Sequence, residues 1–360
     1  MKSDGFTSSI SQAKLFRKNF YFAVDQPTVL TDTVDGASMS GRVSPPTAFP
    51  VILHHTPDPE YDAVTPHDIL AHPARVLTQA QRQTYFETGC LAADGLIPAA
   101  WLDRLNALSA EFLEQSRSLS QSNEAFDLGP SHTADHPHVR RLRALVDRHP
   151  DFWRFAAESP LADIAADLVG PDVKFHSSKL NYKWPGSGEI VKWHQDIPAW
   201  PHTNYSPVTL GVYLDDVPAA QGPLTCVPGS QNGPIFVHRD DAGAWTGSIR
   251  DADMATVDTA GAIDLTGRAG AVVAINCRTV HASRANATDR VRPVALFIYS
   301  SADAFAWMAP PTPTSHTGDI VRGNPATVAH LDPTPCPVPP DWARQGYGSI
   351  FTSQKAAYSA

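Results

Sequence analysis

Residues 189–196 read EIVKWHQD, and their spacing bears on both fold and chemistry. Ile190, Lys192, His194 and Asp196 share one parity. Alternate side chains of a β-strand leave the same face, so a histidine and an aspartate two apart would look into one interior. That is the geometry of two ligands of a facial metal site. The tripeptide alone decides nothing, because H-x-D also begins at His149, His238 and His330. Context separates the four. Pro150 cannot donate to a strand ladder, and Asp151 reads as the N-cap of a helix DFWRFAAE. His330 lies in a proline-rich stretch, and His238 closes the apolar run IFV at the edge of a polar loop.

Working outward, VKFHSSKLNY, VTLGVYLDD, GPLTCVPGS, AGAVVAINC, TVHASRA and RPVALFIYS are short runs of period two after Gly170, punctuated by Pro, Gly and Asn/Asp. They predict a mostly β protein with flanking helices, its core an antiparallel double-stranded β-helix of the jelly-roll, cupin-like type. Upstream the period is helical. TQAQRQTYFETG is stopped by Gly89. PAAWLDRLNALSAEFLEQSRS opens at Pro98 and carries Trp101, Leu105, Leu108 and Phe112 on one stripe. SPLADIAADLVG has Ser159 as N-cap, Pro160 at the first position and Gly170 beyond its end. The domain is therefore expected over residues 77–305, with a polar, lid-like insertion at 235–268. Residues 1–76 read as an irregular proline-rich arm whose His54, His55, His67 and His72 show no ligand spacing. Residues 306–360 read as an extended proline-rich tail.

Bulk properties narrow the function. Hydrophobic residues are 42% and charged residues 18% of the 360, as in a globular protein with a sizeable core. Prolines number 32, well above the usual ~5%, and concentrate in the two arms. The formal charge is -9 and there is no Lys/Arg block, which argues against nucleic-acid and anionic-membrane partners and leaves a small molecule. No apolar run approaches the roughly 18 residues of a membrane span, and the first residues lack a secretory pattern. Four cysteines without a C-x-x-C pair fit a reducing, cytoplasmic compartment. Monomer and homodimer both stay open.

A third ligand must come from elsewhere. His281 lies just past the strong apolar strand AVVAINC, and Arg292 opens the next one, eleven residues on. Two histidines and a carboxylate leave open coordination positions for a co-substrate and O2. A guanidinium clamps a carboxylate with two parallel hydrogen bonds. A single buried His–Asp pair, or a single Arg at a strand start, is more often structural. The ordered combination is the specific signal.

At these residues the chain resembles the phytanoyl-CoA dioxygenase family, iron(II)/2-oxoglutarate-dependent oxygenases with a jelly-roll core. The similarity runs from about Thr78 to Ser300 and is densest in LNYKWPGSGEIVKWHQD, YLDDVPAAQGPLTCVPGSQ, INCRTVHAS and TDRVRPV. Gln221 and Gln231 replace the family's usual Asn and His in the second stretch. The resemblance implies that His194, Asp196 and His281 bind Fe(II) and that Arg292 pairs with the C5 carboxylate of 2-oxoglutarate. It implies that Ser283 lies near that carboxylate and that Asn181 hydrogen-bonds the co-substrate, as in the ectoine-hydroxylase branch. Lys179, grouped with Arg292, Ser283 and Asn181 as a co-substrate-binding residue, falls where that branch has an arginine, and Trp200 where it has a pocket tryptophan. The run IPAWPHTNYSP departs from that branch, so its substrate is not carried over. Trp200, His202 and Tyr205 are the substrate-side candidates, while Trp193 and Tyr182 read as core. Nothing resembles a basic socket for a coenzyme A phosphate.

The expected reaction is hydroxylation of a small metabolite with release of succinate and CO2. The carboxylate at 196 argues against halogenation, since related halogenases have a small residue at this position. Desaturation or ring modification by the same site stays open, and so does a metal-binding protein that hydrolyses or only binds.

Overall fold

The computed structural model describes residues 64–347 and 349–356. The arm over 1–63, with His54 and His55, lies outside the described residues.

Six helices precede or flank the first long strand. A capping box between Thr65 and Asp68 starts α1, Pro66–Ala71. Helix α2, Gln79–Thr88, is capped by Thr78 and stopped at Gly89, whose φ of 77° is left-handed. A Cβ there would also meet the side chains of Gln231 and Thr279. Helix α3, Ala99–Ser116, follows Pro98 and buries Leu105, Leu108 and Phe112. Two more are α4, Leu145–Arg148, and α5, Pro150–Glu158. His149, rather than Asp151, caps α5: its Nδ1 accepts the Asp151 N–H at 3.1 Å. Helix α6, Pro160–Val169, is bounded by Ser159 and Gly170 as the sequence predicts.

Twelve strands are described: β1 Cys90–Ala93, β2 Phe126–Leu128, β3 Val139–Arg143, β4 Val173–Lys183, β5 Val191–His194, β6 Val208–Tyr213, β7 Leu224–Cys226, β8 Ile263–Leu265, β9 Val272–Asn276, β10 His281–Ser283, β11 Arg292–Ser301 and β12 Ile320–Arg322. The larger sheet runs β1-β9-β6-β11-β4-β3-β2, with β12 also on β4; the smaller runs β5-β10-β7-β8. Every strand pairing is antiparallel. This is the expected double-sheet jelly roll.

The two faces of the larger sheet differ. Its outer face takes the helices: Phe155 packs on Phe297 with ring centroids 5.2 Å apart, and Tyr299 donates to Ala156 O at 2.8 Å. Phe155 is fully buried, so truncation to alanine should cost about 3–5 kcal/mol. Tyr182, on the same face, meets the Ser109 hydroxyl at 2.9 Å and is core, as is Trp193 in a separate cluster. The inner face of β4 presents the opposite parity, Lys179, Asn181 and Lys183, towards the smaller sheet.

Two boundaries differ from the sequence reading. The interval 235–268 is not all insertion, because β8 lies inside it and Thr225 donates to Asp264 at 2.8 Å. A short helix α7, Asp251–Met254, lies in the same interval. The tail is not wholly extended either. It holds β12 and the helices α8, Trp342–Gln345, and α9, Ile350–Ala356. Period two over three residues is too short to detect in sequence.

Candidate active site

Strand β5 ends at His194, and β10 begins at His281; these two residues are register partners. Their rings lie 4.0 Å apart between centroids. Asp196 is not on the strand. It has helical dihedrals (φ -74°, ψ -40°) and heads a single 3-10 turn, Ile197–Ala199. That turn is pinned by the Ile197 N–H on Cys277 O at 3.0 Å. Gln195 is buried and turned into the loop network: it donates to Pro234 O and Arg278 O and accepts the Phe236 N–H. So the turn, and not strand parity, brings Asp196 alongside His194.

The three side chains converge. Asp196 Oδ1 is 3.9 Å from His194 Nε2 and 4.0 Å from His281 Nε2, and one ligand atom from each residue lies within 4.8 Å of the others. Such gaps can be spanned by one ion with bonds of about 2.0–2.2 Å. His194 Nδ1 meets Lys192 O and His281 Nδ1 meets Thr279 O, each at 2.9 Å. A carbonyl only accepts, so both Nδ1 atoms carry the proton and both Nε2 lone pairs face the site. Burial, and then the neighbouring His281, holds the pKa of His194 well below normal, which keeps it a neutral ligand. Burial would raise Asp196, but His281, Lys179, His194 and the Thr209 hydroxyl outweigh it and keep the carboxyl below its ordinary value. Thr209 donates to Asp196 Oδ2 at 2.8 Å, leaving Oδ1 for a metal.

A cavity of about 110 Å³ opens from this triad to the inner face of the larger sheet. There Arg292 is buried, and its Nε and Nη1 have no hydrogen-bond partner. Uncompensated guanidinium is costly in a protein interior, so the site fits a carboxylate ligand. Lys183, the register partner of Arg292, donates to Ser283 Oγ at 2.7 Å and to Arg284 O. Burial, then the charge of Arg292, lowers its pKa to about 6. Asn181 Oδ1 accepts from Arg141 Nε at 2.8 Å. Tyr347, Ile350 and Phe351 bring the tail over the opening, anchored where Gln354 accepts the Lys192 N–H at 2.9 Å and donates to Gly247 O at 3.0 Å.

Most of the residues singled out in the sequence meet here: His194, Asp196, His281, Arg292, Ser283, Asn181, Lys179 and Trp200 all line the cavity. His202 and Tyr205, expected on the substrate side, do not line it. His202 is held by its Nδ1 on Trp200 O at 2.8 Å and packs against His176. Tyr205 donates to Thr334 O at 2.6 Å and lines a different hollow. Beyond Trp200 the chain leaves the cavity, because His202 bridges to Ala306. His238 does line the cavity, and its Nε2 accepts the Gln195 N–H at 3.3 Å.

The sequence reading passed over Arg141, Arg143, Lys183, Thr209 and Phe351 among the lining residues. Lys183 shares the parity of Lys179 and Asn181, and Arg141 and Arg143 alternate in VRRLR, so parity could have found those three. Phe351 is placed by the path of the tail, which no local pattern encodes.

Comparison with known proteins shows the family. The family described as phytanoyl-CoA dioxygenase (PhyH) matches residues 85–294. A probable alpha-ketoglutarate-dependent hypophosphite dioxygenase of Stutzerimonas stutzeri is 33% identical over 200 residues, 54% of this chain and 68% of that protein. An ectoine dioxygenase of Sphingopyxis alaskensis is 28% identical over 182 residues, 46% of this chain and 60% of that protein. The crystal structure of the apo form of EctD from S. alaskensis superimposes with a TM-score of 0.56 at 21% identity, over 71% of this chain and 90% of the other, which shows a shared fold. Among the described residues no helix is long and apolar enough to cross a membrane. The chain belongs to the phytanoyl-CoA dioxygenase family and is an iron(II)- and 2-oxoglutarate-dependent dioxygenase.

Proposed function

We propose that this chain hydroxylates a small metabolite, with iron(II) held by His194 Nε2, His281 Nε2 and an oxygen of Asp196. When bound, iron with 2-oxoglutarate and O2 supplies the oxidising power: one oxygen atom enters a substrate C–H bond and the other leaves in succinate, alongside CO2. The residues supply the geometry. Three protein ligands leave coordination positions open. The Thr209 hydroxyl and the carbonyls of Lys192 and Thr279 orient the ligands. Arg292 receives the far carboxylate of 2-oxoglutarate, with Ser283 beside it and Asn181 along the wall. Trp200 and Phe351 exclude water.

The observation that carries this reading is the pairing, within one cavity, of a buried His–Asp–His triad with a buried guanidinium that lacks a partner among the described residues. A hydrolytic zinc site would need the triad but gives Arg292 no task. The test is succinate release from 2-oxoglutarate by purified protein with iron(II) under air, against single alanine variants of the triad. Wild-type turnover lost in all three variants supports the assignment. Turnover that survives in His194→Ala or His281→Ala would remove that residue from the metal site.

A further inference from the structure

The basic wall of the cavity exceeds what one co-substrate needs. On the inner face of the larger sheet, Arg141 of β3 is the register partner of Asn181, and Arg143 of Lys179. All four side chains line the same cavity as the triad. Two arginines and a lysine therefore face the metal site, in addition to Arg292.

Among the described residues Arg141 and Arg143 have no acid within ion-pair distance, and the one acid whose charge reaches Lys179 is Asp196. Elsewhere in the described residues arginines commonly sit on carboxylates: Arg104 on Asp151, Arg148 on Glu124, Arg284 on Asp264, Arg322 on Asp163. Arg141 has Asn181 and the face of Phe351, 5.6 Å from its ring centroid. Arg143 Nε is buried without a partner. The acid whose charge reaches Arg143, Asp127, lies 4.0 Å from Arg140, and Arg140 in turn binds Glu189 at 2.5 Å. Lys179 makes no side-chain hydrogen bond among the described residues; burial, then the charge of Arg141, lowers its pKa to about 8, so it still carries charge at pH 7.

The charge balance points one way. A divalent ion and a 2-oxoglutarate dianion cancel. Among the described residues Asp196 is the one carboxylate lining the cavity, against charged Arg141, Arg143, Lys179 and Arg292. Unpaired cations in a partly desolvated cavity are costly and attract counter-charge. Guanidinium pairs are suited to planar or tetrahedral oxoanions.

We propose that the substrate is a small acid whose oxoanion seats between Arg141, Arg143 and Lys179, its reactive carbon turned to the triad and its apolar part against Trp200 and Phe351. This rests on the oxygenase reading above and deepens it. Carboxylate, phosphonate and sulfonate share the required chemistry.

The test uses full-length protein loaded with Ni(II), a redox-inert stand-in, and saturating 2-oxoglutarate. Butyrate, propylphosphonate, propanesulfonate and the neutral butyramide are titrated in separately by calorimetry. At least one acid should bind ten times or more tighter than the amide, about 1.4 kcal/mol, and the arms show which oxoanion is preferred. Arg143→Gln and Lys179→Met should each weaken that acid about tenfold, with 2-oxoglutarate affinity changed less than about twofold; retained 2-oxoglutarate binding shows that the variants fold. Equal binding of acid and amide, no binding by any acid, or acid displacing 2-oxoglutarate would overturn the proposal, the last by assigning these cations to the co-substrate. Wild-type protein that takes Ni(II) but not 2-oxoglutarate would overturn the oxygenase reading instead.

Discussion

Replacing Arg292 with glutamine separates co-substrate binding from metal binding. The guanidinium is buried, two of its nitrogens have no partner, and it is not a ligand of the triad. Removing one partner of a buried, hydrogen-bonded charge pair costs about 2–5 kcal/mol. Ser283 and Lys183 remain nearby to hold a carboxylate, so the lower part of that range applies, ~2–3 kcal/mol, or roughly a 30- to 150-fold rise in the 2-oxoglutarate Kd. The ligand-free protein should behave in the opposite sense. Burial lowers the pKa of Arg292 because no acid compensates its charge, and glutamine removes that charge. The melting temperature of ligand-free Arg292→Gln should therefore equal or exceed that of the wild type. Calorimetry with Ni(II)-loaded protein measures the affinity, and a separate Ni(II) titration checks the metal. An unchanged 2-oxoglutarate Kd, or loss of Ni(II) binding, would refute the anchor assignment.

Two further outcomes follow from the same geometry. Thr209→Val removes the hydrogen bond to Asp196 Oδ2 and should weaken metal binding roughly 10- to 100-fold, read by competition with a chelating dye, with little change in thermal stability. Lys183, at about 6 when the site holds no carboxylate, is mostly neutral at pH 7, and a bound carboxylate would raise its pKa. Binding then takes up a proton, so 2-oxoglutarate affinity should fall as pH rises from 6 to 8. Lys183→Met should flatten that slope, and a slope that persists would exclude Lys183 as its source.

How much was legible in the sequence depended on the range of the interactions. Helix ends were readable because Thr78, Ser159, Gly89 and Gly170 act on backbone within a few residues. The jelly roll was readable because β4, β6, β9 and β11 are long enough for period two to register. His194 and Asp196 do lie side by side, but strand parity accounts only for His194: the strand stops there, and the turn beginning at Asp196 does the rest. His281 and Arg292 came from their spacing in a resembled family, and the sheet register explains why they meet their partners, since His281 pairs with His194 and Arg292 with Lys183. His202 and Tyr205 lie away from the cavity because the bridge of His202 to Ala306 turns the chain after Trp200, which proximity in sequence does not record. Arg143 and Phe351 depend on a three-strand register and on a segment 70 or more residues beyond the triad, neither of which a local pattern records.

The central claim is that His194, Asp196 and His281 bind one iron(II) beside a 2-oxoglutarate anchored on Arg292. It is tested most directly by the anaerobic visible spectrum. Iron(II) and 2-oxoglutarate added together should produce a weak charge-transfer band that saturates at one iron per chain, is absent with either component alone, and vanishes in Asp196→Ala. No band in wild-type protein, or a band undiminished in Asp196→Ala, would contradict the account.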